Sequence, residues 1–281
     1  MKKTLLAVIA ILIIVATCFC VVACSSSKKV SIGVQGGTTG EYYVKGDPDW
    51  GFDGFPNVTY KPFQNAGLAV TDMKAGNLKA VVIDEAPAKA LAKKISGIKV
   101  IDIALTEEEY AFGVDKAQSE LKNSINSILA SDEFKAAYDQ IVAKYFSDEE
   151  IEGIVAATKA DADKAAGQLV VATNAEFAPF EYKIGDKFAG IDMEIAKYIA
   201  DALDLELVVL DMDFDAVVSS VGKNNIDVAM AGLTVNEKRK ESVDFTNSYY
   251  NAAQMVVVLS DDTTFDSCKT KADVEEVLKA L

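Results

Sequence analysis

The sequence contains no histidine, which removes Ser-His-Asp triads, Cys-His pairs and histidine-bound metal centres in one step. Most hydrolase chemistry loses its base with it. Arginine is almost absent: of 28 basic residues only Arg239 is arginine, and the rest are lysine. Positive charge is short as well, because 43 acidic residues leave a formal net charge of −15. That balance argues against nucleic acid or an anionic lipid surface as the partner. Cysteine is sparse, with four in the chain: Cys18, Cys20, Cys24 and Cys268. What is present is a chain of 281 residues, half of them hydrophobic, long enough to bury a core as one large domain or two lobes.

The first residues have the parts of a secretory signal: Lys2-Lys3, an apolar run from Leu5 to about Val22, then Ala23-Cys24-Ser25-Ser26-Ser27. The run also approaches the ~18 to 20 residues that could span a bilayer as an uncleaved anchor. Either way the folded part is expected outside the cytoplasm. A small residue before a cysteine, followed by serines, resembles the lipobox of bacterial lipoproteins. That resemblance implies that 1–23 is a signal peptide, that Cys24 is lipidated, and that 24–28 is a tether. Loss of Lys2 and Lys3 would move the net charge from −15 to −17. Loss of Cys18 and Cys20 would leave Cys268 without an intramolecular partner if Cys24 carries lipid.

From Val30 onward, strand, polar loop and helix alternate, the pattern of α/β units with parallel strands. Strands are expected near 30–34, 58–62, 80–83 and 99–103, with helices over 66–75 and 86–94. A strand near 110–114 and helices near 119–129 and 132–145 follow. The stretch 151–167, rich in Ala, Lys and Asp, reads as a linker or an exposed helix. A second α/β series then places strands at 169–173, 205–210, 226–231 and 254–259, and helices at 192–202, 214–221 and 272–280. The plan of Val70–Ile83 repeats at Val217–Met230, which favours two related lobes.

Ligands of open α/β sheets sit where strand ends lead into helix starts. Four such places stand out. In Gln35-Gly36-Gly37-Thr38-Thr39-Gly40-Glu41 the glycines admit a ligand close to the backbone, and Thr38 with Glu41 could form a capping box. The spacing fits neither a dinucleotide fingerprint nor a phosphate loop, so the alternatives are an anion site at a helix start or a plain capped turn. Asp84 ends an apolar strand and could receive an ammonium group or simply cap the next helix. Ala231-Gly232-Leu233-Thr234 leads to Arg239, whose planar fork suits a carboxylate, the alternative being a solvated surface arginine. In the loop from Thr173 to Phe180, Phe177 could cover an apolar or flat side chain with Phe214 on its other side, while Phe180 reads as core.

Together these segments resemble the amino-acid-binding proteins of ATP-driven importers, the extracellular solute-binding family 3 with its two-lobed type II periplasmic-binding-protein fold. The resemblance rests on Leu169–Phe180, Asp213–Ala216, Asp227–Arg239, Ser242–Thr246, Gly33–Gly40 and Val81–Pro87. The order departs from the family: the part holding Gly33–Gly40 and Asp84 precedes the part that normally comes first, so the chain resembles a circular permutant. The expected division is one lobe from 29–102 plus 262–281 and another from 103–261, with 147–168 joining the family's usual termini. Lys29 and Leu281 should then lie close together.

The resemblance implies a site in which Arg239 pairs with a ligand α-carboxylate, helped by Thr234 and the Thr39 amide. Asp84 and the Gly232 carbonyl would take the α-ammonium. Phe177 and Phe214 would pack on the ligand side chain, and Asn174 with Glu176 would set its polarity. Asn174 stands where members that select cationic side chains often carry Asp, which leaves specificity for Arg, Lys or His open. The Gly46–Pro56 loop, with Trp50 and Phe52, has no counterpart in the resemblance. The expected protein is no enzyme and uses no metal or cofactor. It is a lipid-anchored, extracytoplasmic and monomeric binding protein that hands an amino acid to the membrane subunits of an ABC transporter. A sensory receptor module, or a dehydratase-like enzyme on the same fold, are the alternatives.

Overall fold

The structure is a computed structural model that describes residues 29–147, 149–161 and 167–281; the expected signal segment 1–23 and the expected lipid site Cys24 lie outside them. Two five-stranded sheets organise it. The first runs Thr59–Phe63, Ser31–Gln35, Ala80–Asp84, Gln254–Leu259, Ile98–Ile101. The second runs Glu206–Asp211, Gln168–Thr173, Val228–Ala229, Gly113–Val114, Asp244–Phe245. Each sheet has helices packed on it and forms the centre of one lobe. The architecture is α/β and two-lobed, as the alternating pattern implies.

The central strands are apolar throughout because both of their faces are covered. Ala80–Asp84 and Gln168–Thr173 are buried along their full length. The helices carry their own start signals: Asn65 caps Ala66–Lys74 by accepting from the Leu68 amide, and Thr270 with Asp273 forms a full capping box on Lys271–Ala280. Ile191–Ala202 buries Ile191, Ile195 and Ile199, spaced at one helical turn, against the second sheet.

That helix begins at Gly190, whose φ of 126° is open to glycine but strained for other residues. A Cβ there would sit 2.0 Å from the Phe180 carbonyl oxygen. Gly190→Ala should cost at least about 3 kcal/mol and lower Tm by about 5 to 10 °C. Calorimetry on the purified variant checks it; a Tm unchanged within 1 °C would contradict the packing described here.

The strand Gln254–Leu259 requires a correction. The division above assigns it to the 103–261 lobe, yet it runs antiparallel between Ala80–Asp84 and Ile98–Ile101, inside the first sheet. Its apolar run shows that it is buried on both faces but not which strands bury it. The chain therefore crosses between lobes twice, through residues 102–112 and 246–253. The two crossings pair as Glu108–Tyr110 with Tyr250–Ala252. This narrow ribbon joins the two lobes.

The segment 149–161 is extended rather than helical. Ile154 bridges to Phe188 and Ala157 to Val208, which lays it along the edge of the second lobe. In the first lobe Lys29 Nζ donates to the Pro56 carbonyl at 2.6 Å, and Asn57 Nδ2 donates to the Leu278 carbonyl at 2.8 Å. Leu281 packs on the same apolar cluster as Phe55 and Val58. Both ends of the described chain thus meet one short segment.

Candidate functional site

The strand ends of the two sheets face one another, and a continuous set of buried polar groups bridges them. Arg239 leaves the short helix Glu237–Lys240, which Asn236 caps by accepting from the Arg239 amide at 2.8 Å. Its guanidinium is buried and donates to two carbonyls, Thr234 at 2.9 Å in its own lobe and Gly37 at 3.2 Å in the other. The Thr39 hydroxyl donates to Thr234 Oγ1 at 3.2 Å, and the Thr234 hydroxyl donates to Glu108 Oε2 at 2.6 Å. Glu108 Oε1 accepts from Thr106 at 2.5 Å and from Gln254 Nε2 at 3.0 Å. Asp84 accepts from the Tyr110 hydroxyl, and the Gln254 side chain also bonds to it.

Charge at this junction is unbalanced. Asp84 and Glu108 are buried near a single buried cation, Arg239. Burial, and next the Glu108 charge, push the Asp84 carboxyl up to about 7. Burial also lowers the Arg239 guanidinium somewhat, with Glu108 and Asp84 opposing the shift. Behind them Asp192 is likewise raised to about 7 by burial, although it accepts from the Gly232 amide at 2.9 Å and from the Tyr249 hydroxyl. Glu181 is fully buried with neither carboxylate oxygen bonded, and burial drives it well above the ordinary range, so it is held protonated. The arrangement offers a fork for a carboxylate and, across from it, a carboxyl in want of a cation.

Of the residues singled out from the sequence, Arg239, Thr234, Thr39 and Asp84 converge in this one network. Gly232 borders it through Asp192 and through contact of its backbone with Phe177. Thr38 lies beside it but forms no capping box: its hydroxyl donates to the Gln35 carbonyl, and Glu41 reaches back to the Gly37 amide instead. Asp84 makes no cap bond to the helix it precedes, because its side chain turns to Tyr110 and Gln254. Asn174 is buried and held between Gln35 Nε2 at 3.4 Å and the Met212 carbonyl at 2.9 Å. Glu176 is exposed and accepts from Asn65 of the other lobe at 2.7 Å, so it joins the cleft rim.

Phe214 lies over the Arg239 guanidinium at 5.4 Å. Phe177 is 6% exposed and stacks on Phe180 with centroids 6.0 Å apart, as part of the main core. Sequence reasoning missed Glu108, Tyr110 and Gln254. The first two were findable: in an extended segment, residues two apart share a face, so within Glu107-Glu108-Glu109-Tyr110 only Glu108 points with the tyrosine. Gln254 had no such signal. Trp50 was noticed but unplaced; its ring stacks on Tyr42 and lies 5.3 Å from the Arg239 guanidinium carbon.

Residues 169–281 match the family described as bacterial extracellular solute-binding proteins, family 3. The arginine-binding extracellular protein ArtP of Bacillus subtilis (strain 168) is 38% identical over 94 residues, which is 34% of this chain and 37% of that protein. A probable histidine-binding protein of Campylobacter jejuni subsp. jejuni serotype O:2 is 30% identical over 107 residues, 38% of this chain and 41% of that one. The chain thus spans well under half the length of the curated relatives it matches. Among solved structures, the arginine-bound domain 1 of TmArgBP is 31% identical over 43% of this chain and 99% of that chain, with a TM-score of 0.29. Among the described residues no helix is long and apolar enough to cross a membrane. The likeness to the bacterial extracellular solute-binding proteins, family 3, is thus carried by residues 169–281.

Proposed function

We propose that the protein captures a free amino acid between its two lobes outside the cytoplasm and presents the closed form to the membrane subunits of an ABC transporter. One observation carries the reading: buried Arg239 and buried Asp84 face a common junction, the first bonded to carbonyls and the second raised by burial and by the Glu108 charge. A zwitterion satisfies both at once. Its carboxylate takes the Arg239 fork, with the Thr234 and Thr39 hydroxyls beside it, and its ammonium restores Asp84 to the charged form. The connecting strand supports the same reading, since Glu108 and Tyr110 bond to Thr234 in one lobe and Asp84 in the other. The relatives' names bring arginine and histidine to the front of the candidate ligands, and Asn174 next to Gln35 is the position that would decide between charged and neutral side chains.

A thermal-shift screen of the purified protein against the twenty amino acids tests the function. A ligand present at 100 times its Kd stabilises the folded state by about 2.7 kcal/mol, which in a chain of this size raises Tm by about 5 to 10 °C. The α-amide of the same amino acid, which lacks the carboxylate charge, should produce no shift. An amide that stabilises as well as the acid would overturn the pairing with Arg239.

Permuted order and lipid attachment at Cys24 belong to the same reading. The bonds of Lys29 to Pro56 and of Asn57 to Leu278, in the last helix, support the first: a chain rearranged to begin at Gln168, with Leu281 joined to Lys29, is expected to fold and bind with unchanged affinity. Cys24→Ala is expected to shed the protein into the medium, read by blotting cell and medium fractions.

A further inference from the structure

The Gly46–Gly54 loop is tightly built. Gly46 and Gly54, both at positive φ, bring their backbones into contact at its neck. Asp47 and Phe52 exchange backbone hydrogen bonds at 2.8 and 3.0 Å, and the Asp47 carboxylate caps the single turn Pro48–Trp50. Phe52 anchors the loop edge-on to Tyr43 in the first lobe, with centroids 5.4 Å apart. The loop therefore presents Trp50 in a set place. Its indole stacks on Tyr42 at 4.2 Å with an interplanar angle of 16°.

The other face of that indole looks across the cleft. The Pro48–Trp50 turn packs on the helix Glu237–Lys240 of the second lobe, and the Arg239 guanidinium carbon lies 5.3 Å from the Trp50 ring and 5.4 Å from Phe214. Arg239 is thus held between an aromatic ring of its own lobe and one of the opposite lobe. Lys238, next to it, is raised first by Glu241 and further by Asp49 and Asp47 of the loop, so the loop and the helix also attract electrostatically. Phe214 belongs to the same lobe as Arg239, whereas Trp50 belongs to the opposite one, so only the Trp50 contact depends on how the lobes meet.

We propose that Trp50 is a ligand-retention residue: the Gly46–Gly54 loop is a preformed lid whose indole closes over the carboxylate-binding guanidinium, shields that ion pair from water and slows ligand release. This rests on the reading of Arg239 as the carboxylate site. A contact made only on closure stabilises the closed complex without helping the ligand reach the open one, so its removal acts on koff rather than kon. A guanidinium on an indole in a partly desolvated setting is of the size that changes a rate about tenfold.

The test uses the full-length protein and tritiated L-arginine, or whichever of the other common amino acids the wild type binds. In chase experiments Trp50→Leu, which keeps apolar bulk but no ring, should release ligand about tenfold faster with kon within twofold. Trp50→Phe should recover most of the slow release, and both variants should melt within a few degrees of wild type, since the side chain is only half-buried. Trp50 is the chain's one tryptophan, so wild-type emission should change on ligand addition and fail to change in Arg239→Ala. If the wild type binds and Trp50→Leu releases ligand at the wild-type rate, the lid is refuted and the binding function stands. A wild type that binds no amino acid refutes the site and the lid together.

Discussion

Arg239→Ala should raise the Kd for the amino-acid ligand by about 30-fold to a few thousandfold while leaving a folded protein. The guanidinium is the one planar fork in the chain and is already desolvated, held by the Thr234 and Gly37 carbonyls between two rings. Removing it leaves a ligand carboxylate buried and unpaired, a loss of about 2 to 5 kcal/mol for truncating one partner of such a pair. It also leaves Asp84 and Glu108 without their nearby cation, so a modest fall in Tm of the free protein is expected as well. Arg239→Lys should be nearly as damaging, because an ammonium cannot donate in parallel to both carboxylate oxygens while keeping its carbonyl bonds. Calorimetric titration of both variants decides it; a Kd within tenfold of wild type in the alanine variant would remove Arg239 from the site.

The second large effect is in pH. Asp84 and Asp192 have folded-state pKa values of about 7, against an ordinary value of 3.8. The sign follows from proton counting: between about pH 4 and pH 7 the folded protein holds protons that the unfolded chain has released. Stability of the ligand-free protein should therefore fall as pH rises through that window, by up to about 1.4 kcal/mol per pH unit for each group. The carboxylates that hold lowered values, Asp262 at about 2 among them, act only at the acid end and do not reverse the trend above pH 4. Ligand binding should run the other way. The ammonium needs Asp84 charged, so affinity should be highest at pH 8 and drop by up to about 100-fold at pH 5, with a proton released on binding below pH 7.

Asp84→Asn separates the two contributions. The variant should bind weakly at all pH values and lose the pH dependence of Kd, while keeping the share of the stability slope that belongs to Asp192 and to the other carboxyls that burial raises, Glu181 and Asp227. Titrations at pH 5, 6, 7 and 8, with melting curves in the same buffers, provide both readings. An affinity that stays flat across the range in the wild type would mean that Asp84 does not meet a charged amine.

Much of the framework was legible in the residues. Apolar runs bounded by glycine and capping residues located Ser31–Gln35, Ala80–Asp84, Gln168–Thr173 and the helices between them to within a residue or two, because burial on both faces demands such runs locally. The absence of histidine and the single arginine narrowed the chemistry before any fold was known, and the strand-end rule pointed to Asp84 and Arg239, while the roles of Thr39 and Thr234 came from the family resemblance. Local composition could not say which strands share a sheet, so Gln254–Leu259 went to the wrong lobe. Nor could it distinguish a cap from a ligand group at Thr38 and Asp84, since both uses need the same residue types at the same place.

Those choices are long-range. Tyr110 turns Asp84 away from its helix, the Thr39 and Thr234 hydroxyls meet across 195 positions of chain, and Gln254 reaches Glu108 only because its strand lies in the first sheet. The sequence by itself determined what kinds of group the protein can offer a ligand, because residue type and local period are local properties. Only the tertiary structure decided which of them face each other across the cleft, and that Trp50 stands over Arg239, because pairing between distant segments depends on the packing of the whole chain.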